Sequence, residues 1–294
     1  MNGPSRHAVC PPEVLARITD LQLVARIVVE GLVSGLHRSP FHGYSAEFSQ
    51  YRHYRPGDDL KYVDWKLVAR TDRVYTKQFR ETTNMASSIV IDTSRSMDYP
   101  SDGVSKLRYA VIAAAALGHL VAAQGDAVGL VTDDTFIPSK TGRHHFAGVL
   151  GRLAALRPQD AWKPAITLRR AAERLGRRGL LVVLSDFYDD EDETFSELRR
   201  AARLGHEVVV LQVMSRDEVA FPFHDAVEFV DAESSRTLPV KSVDARRDYV
   251  DAVTAFIERW RVRAAVEGFQ YTLMMTDAPL AHSLRNLLLA RQRS

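Results

Sequence analysis

The segment Ser88-Ile89-Val90-Ile91-Asp92-Thr93-Ser94-Arg95-Ser96-Met97 changes character abruptly at Asp92. Ile89, Val90 and Ile91 form a short apolar, β-branched run without polar alternation, the pattern of a strand buried on both faces. Asp92 ends that run and small or hydroxylated residues follow, as in a loop at the carboxyl end of a strand. In open α/β sheets ligands bind at that edge. Asp92, Ser94 and Ser96 alternate, so a tight turn aims three oxygens at one point, the ligation that a hard cation such as Mg²⁺ prefers.

Working outward, the chain from Met85 alternates strand and helix. Helices are expected at about Val104 to Gln124, Arg143 to Leu156, Ile166 to Leu175, Asp192 to Leu204, Asp244 to Glu267 and Pro279 to Arg291. Strands are expected at Val128 to Thr132 with a hairpin partner at Thr135 to Ile137, and at Leu180 to Leu184, Glu207 to Met214 and Tyr271 to Met275. Apolar strands alternating with helices predict an α/β fold, a mostly parallel sheet with helices on both faces. A block at 217–243, containing Val219 to Phe223, Val227 to Val230 and Thr237 to Val240, breaks the alternation and reads as small antiparallel strands. Ahead of Met85, Pro12 to Leu36 has apolar residues at helical spacing and reads as one amphipathic helix ending near Gly35. His37 to Glu81 mixes aromatic and charged residues around Pro56-Gly57-Asp58-Asp59, a turn signal, and predicts short strands and turns. The division expected is 1–84, an N-terminal helix and β-rich segment, and 85–294, the α/β domain with its insert. The β-rich segment and the insert are expected to share one small β-subdomain.

The chain has 294 residues, 46% hydrophobic and 26% charged, with a net charge of +2. Such a balance gives no field that would draw nucleic acid or anionic lipid. The single cysteine, Cys10, supports neither a disulfide framework nor a cysteine metal site. The longest apolar stretch, Val111 to Ala123, falls short of the roughly 18 residues a membrane span needs. These features predict a cytoplasmic protein without a membrane span.

If the sheet is parallel, Asp92 and Asp186 both follow the carboxyl ends of strands and face one edge. Thr167, at the start of a predicted helix, faces it too. Two carboxylates and three hydroxyls then converge, and Mg²⁺, which keeps several waters, suits such a set. The neutral hydroxyls leave the ion enough charge to attract a carboxylate from outside. Asp98 and Asp102 read as solvated loop residues, Asp189 to Glu193 as a helix N-terminus, and Asp133-Asp134 as the hairpin turn. The sequence has no Gly-x-x-x-x-Gly-Lys, Gly-x-Gly-x-x-Gly, His-Glu-x-x-His or Gly-x-Ser-x-Gly motif. The catalytic alternative is a Mg-dependent phosphoester hydrolase using Asp92 and Asp186.

Asp92-Thr93-Ser94-Arg95-Ser96 resembles the Asp-x-Ser-x-Ser motif of von Willebrand factor A domains. Their metal-ion-dependent adhesion site (MIDAS) adds a threonine and an aspartate from later loops, and the resemblance assigns those places to Thr167 and Asp186. A longer resemblance runs through Gly43-Tyr44, Glu47-Phe48, Arg52 to Asp59, Val63-Asp64-Trp65, Ala69-Arg70, Phe221-Pro222 and Thr276 to Leu280. These are similar to the bacterial domain of unknown function 58 family, whose members typically carry a von Willebrand A-like domain and are often encoded beside MoxR-type AAA+ ATPases. It implies a non-catalytic, metal-dependent interaction protein, whose partner donates an Asp or Glu to the metal, and an adaptor role for a MoxR-type ATPase. The Arg52 to Arg70 signature reads as a structural network in which Arg52 pairs with aspartates while Tyr54 and Trp65 fill a small core. The other reading makes it a partner surface.

Overall fold

The computed structural model describes residues 10–33, 46–55, 58, 63–71, 73–81, 85–101, 103–159, 162–176, 178–188, 190–222, 227–230, 237–240 and 242–291. Its elements, in chain order, begin with α1 (Pro12–Arg17), α2 (Leu21–Val33), β1 (Ala46–His53), α3 (Trp65–Thr71) and β2 (Tyr75–Glu81). Then come β3 (Ala86–Ile91), a 3-10 turn (Arg95–Asp98), β4 (Pro100–Ser101), β5 (Val104–Ser105), α4 (Lys106–Ala123), β6 (Ala127–Val131), β7 (Phe136–Lys140) and α5 (Arg143–Ala155). The remainder is α6 (Pro164–Arg174), β8 (Leu180–Ser185), α7 (Glu191–Arg203), β9 (Glu207–Met214), α8 (Arg216–Ala220), β10 (Val227–Val230), β11 (Thr237–Val240), α9 (Ser242–Val266), β12 (Gln270–Met275) and α10 (Leu280–Arg291).

The central sheet has six strands in the order β12-β9-β8-β3-β6-β7. All neighbours are parallel except β7, which returns antiparallel to β6. The fold is therefore the expected α/β class, a mostly parallel sheet between helices. Side chains alternate across it. Ile89, Ile91, Val182, Leu184, Leu211 and Val213 enter a core with α1, α2, α4, α5 and α10. Val90, Leu181, Val183, Val208 and Val210 enter a second core with α6, α7 and Trp260 of α9. This two-sided burial explains why the strands read as continuous apolar runs. Among the described residues α4 is the one helix long and apolar enough to cross a membrane, yet nearly all its side chains are buried against the sheet and neighbouring helices.

Three expectations change. The first helix is two: Ile18 is extended, and Asp20 restarts the helix by accepting the Gln22 and Leu23 N–H groups at 2.9 and 3.1 Å. Gly35 lies outside the described residues. The second change is at Trp65, where α3 forms instead of strand or turn, because Asp64 Oδ1 accepts the Lys66 and Leu67 N–H groups. The third is at Val219 to Phe221, which is the end of α8 and its left-handed cap, not a strand. Ser215 and Glu218 close a capping box there, visible in the sequence as Ser-x-x-Glu. The β1–β2 and β10–β11 pairs are two-stranded sheets of their own, with no strand pairing between them among the described residues.

Candidate metal centre

Asp92 and Asp186 follow adjacent parallel strands, β3 and β8, and both are fully buried. The strand register holds them together. The Asp92 N–H donates to the Leu184 carbonyl at 3.0 Å, and the Ser185 hydroxyl donates to Asp92 Oδ2 at 2.6 Å. Asp92 Oδ1 accepts the Ser94 N–H at 2.8 Å, which folds the loop back on itself. That turn brings the Ser94 and Ser96 hydroxyls within 2.9 Å of each other. After β8 the chain turns sharply through Phe187, at φ 61. A phenylalanine in the left-handed region is strained; it is held by its ring, 4.2 Å from that of Trp260. The same turn lets Ser185 Oγ accept the Phe187 N–H and Asp186 Oδ1 accept that of Tyr188. Behind it, buried Gln212 donates to the Asp186 carbonyl at 3.1 Å and is itself held by the Tyr271 hydroxyl.

The charge balance involves two residues that the sequence reading did not include. Lys106, at the start of α4, is fully buried and donates to Asp186 Oδ2 at 2.7 Å and Glu218 Oε1 at 2.5 Å. Its ammonium also lies 5.0 Å from the Tyr188 ring centroid. Burial pulls the Lys106 pKa down, but the Asp186 and Glu218 charges outweigh it and hold the group above its ordinary value. Burial first, and the Asp186 charge second, push Asp92 up to about 8. Asp186 and Glu218 therefore share the one ammonium, and Asp92 beside them keeps its proton at neutral pH. A sequence signal existed for each newcomer: a lysine opening an apolar helix, where a cation opposes the helix dipole, and the Ser-x-x-Glu box.

Thr167 is placed differently from the other four candidates. It is buried in the first turn of α6 and donates its hydroxyl to Asp133 in the β6–β7 turn. Asp133 Oδ2 also accepts the Lys163 N–H at 3.1 Å. Arg95, Asp133, Gln159, Lys163, Ile166 and Thr167 line one open cleft of about 640 Å³ beside the Asp92 loop. The Gln159 N–H reaches the Thr93 carbonyl at 2.6 Å, which ties this wall to the loop. The structure thus brings Asp92, Ser94, Ser96 and Asp186 together and sets Thr167 on the adjoining wall with Asp133.

The donors suit a hard dication: two carboxylates and two hydroxyls, an all-oxygen set, with negative charge in excess of the local ammonium. Among the described residues no group of three or more His, Cys, Asp or Glu is placed to hold a metal, so this set depends on its hydroxyls.

Fold and site together define an open, mostly parallel α/β sheet with an Asp-x-Ser-x-Ser loop at its carboxyl edge. Residues 50–258 match the family described as protein of unknown function DUF58, and the chain belongs to that family. It is 30% identical over 238 residues to the uncharacterized protein Rv1480 of Mycobacterium tuberculosis, covering 78% of this chain and 74% of that one. It is 29% identical over 143 residues to the uncharacterized protein YeaD of Bacillus subtilis, covering 47% of this chain and 33% of that one. Similar solved structures include the conserved hypothetical protein BatB from Bacteroides thetaiotaomicron, with a TM-score of 0.48 at 15% identity, covering 71% of this chain and 100% of that one. Another is the SpRpn10 VWA domain, with a TM-score of 0.43 at 11% identity, covering 69% and 94%.

Proposed function

We propose that this protein is a metal-dependent protein-interaction module, a non-catalytic adaptor working with a MoxR-type AAA+ ATPase, in the cytoplasm. The observation that carries the reading is the buried Asp92–Asp186 pair, joined strand to strand and presented with two hydroxyls at the carboxyl edge of the sheet. Asp92, Ser94, Ser96 and Asp186 hold the cation, Mg²⁺ by preference, directly or through water. Thr167 joins them from the adjoining wall by way of Asp133. When bound, the ion supplies a point charge for a carboxylate of the partner. The residues of the chain do the rest. Ser185 fixes the Asp92 carboxylate, Gln212 fixes the Asp186 backbone, and Lys106 offsets part of the charge of Asp186 while leaving Asp92 to the ion.

Calorimetric titration with Mg²⁺ tests the site. Wild type is expected to bind one ion, with binding lost in Asp92→Asn and weakened in Ser94→Ala. Equal binding by wild type and Asp92→Asn would reject it. Retention of a purified MoxR-type ATPase in Mg²⁺, and its release by chelator, tests the partner. Metal-dependent turnover of phosphoesters that disappears in Asp92→Asn would replace the adaptor with a hydrolase.

A further inference from the structure

The unit built from β1, α3 and β2 presents a surface that the metal site does not use. Trp65 is 63% exposed, so it does not fill the small core expected of it. Tyr51 and Val74 are 43% and 40% exposed. The Tyr51 side chain is held in place. The Tyr51 hydroxyl donates to Asp64 Oδ2 at 2.8 Å, and its ring packs edge-on against Tyr75, centroids 6.3 Å apart. His53 packs on the other side of Tyr75 at 4.5 Å. The Asp64 N–H donates to the Tyr75 carbonyl at 3.1 Å, which fixes Trp65 beside this aromatic row.

Cations frame the row. Lys66 and Arg70 are exposed and lie one turn apart on α3, on the same side as Trp65 and Ala69. Exposed Arg55 and Arg73 flank the end of the hairpin, where the Tyr54 N–H donates to the Val74 carbonyl. Two carboxylates of this unit, Asp58 and Asp64, are engaged. Asp58 takes two hydrogen bonds from Arg52 at 2.8 and 2.9 Å, and Asp64 is bound by Tyr51 and the first turn of α3.

An exposed Trp beside an anchored Tyr, with Arg and Lys around them, is the composition of a protein-binding hot spot. We propose that this face docks a protein partner whose contact surface is acidic, with an apolar side chain seated against Trp65 and carboxylates on Arg70, Lys66 and Arg73. Charge complementarity selects the acid. Asp64 beside Trp65 favours a protein over nucleic acid, because a phosphate track laid along the aromatic row would meet that carboxylate. The proposal is independent of the metal site.

Trp65 reports on its own surroundings, since Trp162 and Trp260 are only 4% and 0% exposed. Iodide should quench the exposed Trp fluorescence far more than caesium, and Trp65→Phe should remove the difference. Equal quenching by the two ions would overturn the cationic face. The partner is tested by replacing Ala69 with a photo-crosslinking p-benzoylphenylalanine in the full chain, in its native cells, and identifying the crosslinked peptide by mass spectrometry. An Asp- and Glu-rich protein segment is expected, with yield falling about tenfold or more in Arg70→Glu and in Trp65→Ala. Both substitutions are at exposed positions, and an unchanged melting curve confirms folding. A crosslink to nucleic acid, no crosslink, or a yield undiminished by Arg70→Glu would overturn the proposal.

Discussion

Replacing Lys106 with Met tests the charge arithmetic at the carboxyl edge. The methionine keeps the unbranched stem and nearly the volume, so packing changes little. What disappears is the ammonium, together with its hydrogen bonds of 2.7 and 2.5 Å to Asp186 and Glu218. The Asp186 side chain is 0% exposed and that of Glu218 13%, so water restores little of the loss. Leaving a buried charge without its partner costs about 3–5 kcal/mol. At about 2–4 °C per kcal/mol for a large domain, Lys106→Met should melt roughly 10 °C below wild type at neutral pH. Circular dichroism melts measure this directly. Adding Glu218→Gln removes one stranded charge, so the double variant should be more stable than the sum of the single effects predicts. The sign with pH follows from the raised Lys106 value. The contribution is complete below the unfolded pKa of about 10.4 and is lost only as the pH climbs through the folded one. A drop of less than about 3 °C, or strict additivity with Glu218→Gln, would refute the view that Lys106 neutralises this edge.

Three further outcomes are expected. His206 is buried and accepts the Gly179 N–H on Nδ1, so Nε2 carries the proton and donates to the Ala172 carbonyl; burial lowers its pKa. The stability this neutral ring contributes is full above the ordinary value of 6.5 and declines as the pH falls below it toward the folded value, and a urea series on wild type and His206→Gln should show the variant with the flatter pH slope. A Cβ on Gly129 would lie 2.8 Å from the Ile137 carbonyl oxygen and 2.9 Å from the Ser139 nitrogen, so Gly129→Ala should push β7 off β6 and cost about 1–3 kcal/mol in denaturant unfolding. Asp20→Ala removes the cap of α2 and should cost about 1 kcal/mol, seen as a lower urea midpoint with an unchanged slope.

Legibility in the sequence followed the physics of each segment. Strands such as Leu180–Ser185 and Glu207–Met214 are buried on both faces, and their apolar runs announced them. Asp92 and Asp186 were legible for the same reason: a carboxylate ending such a run has nowhere to go but the sheet edge. Local hydrogen bonding overruled periodicity elsewhere. Asp20 broke a helix whose apolar spacing was continuous, and Asp64 and Ser215 each started a helix where aromatic and β-branched residues suggested strands. The pairing of Lys106 was hidden because Asp186 and Glu218 lie far away along the chain; its place opening an apolar helix was the one local sign. The exposure of Trp65 was hidden likewise, since large aromatic residues are by default read as core.

The contact between α2 and α10 has a consequence for synthesis. Arg285 donates to the Gly31 carbonyl at 3.2 Å, and a Cβ at Gly31 would meet the Ala281 methyl at 3.9 Å, ordinary packing distance. The helix Leu21–Val33 leaves the ribosome early, and it can settle on α4 as soon as that helix appears. One side of it stays uncovered until α10, the last described element, is released. Because domains fold in the order they emerge, an apolar helix waits through the synthesis of the whole sheet for its second neighbour. A nascent chain stalled before Leu280 should therefore expose α2 to chaperones and proteases, although every strand of the sheet is already made.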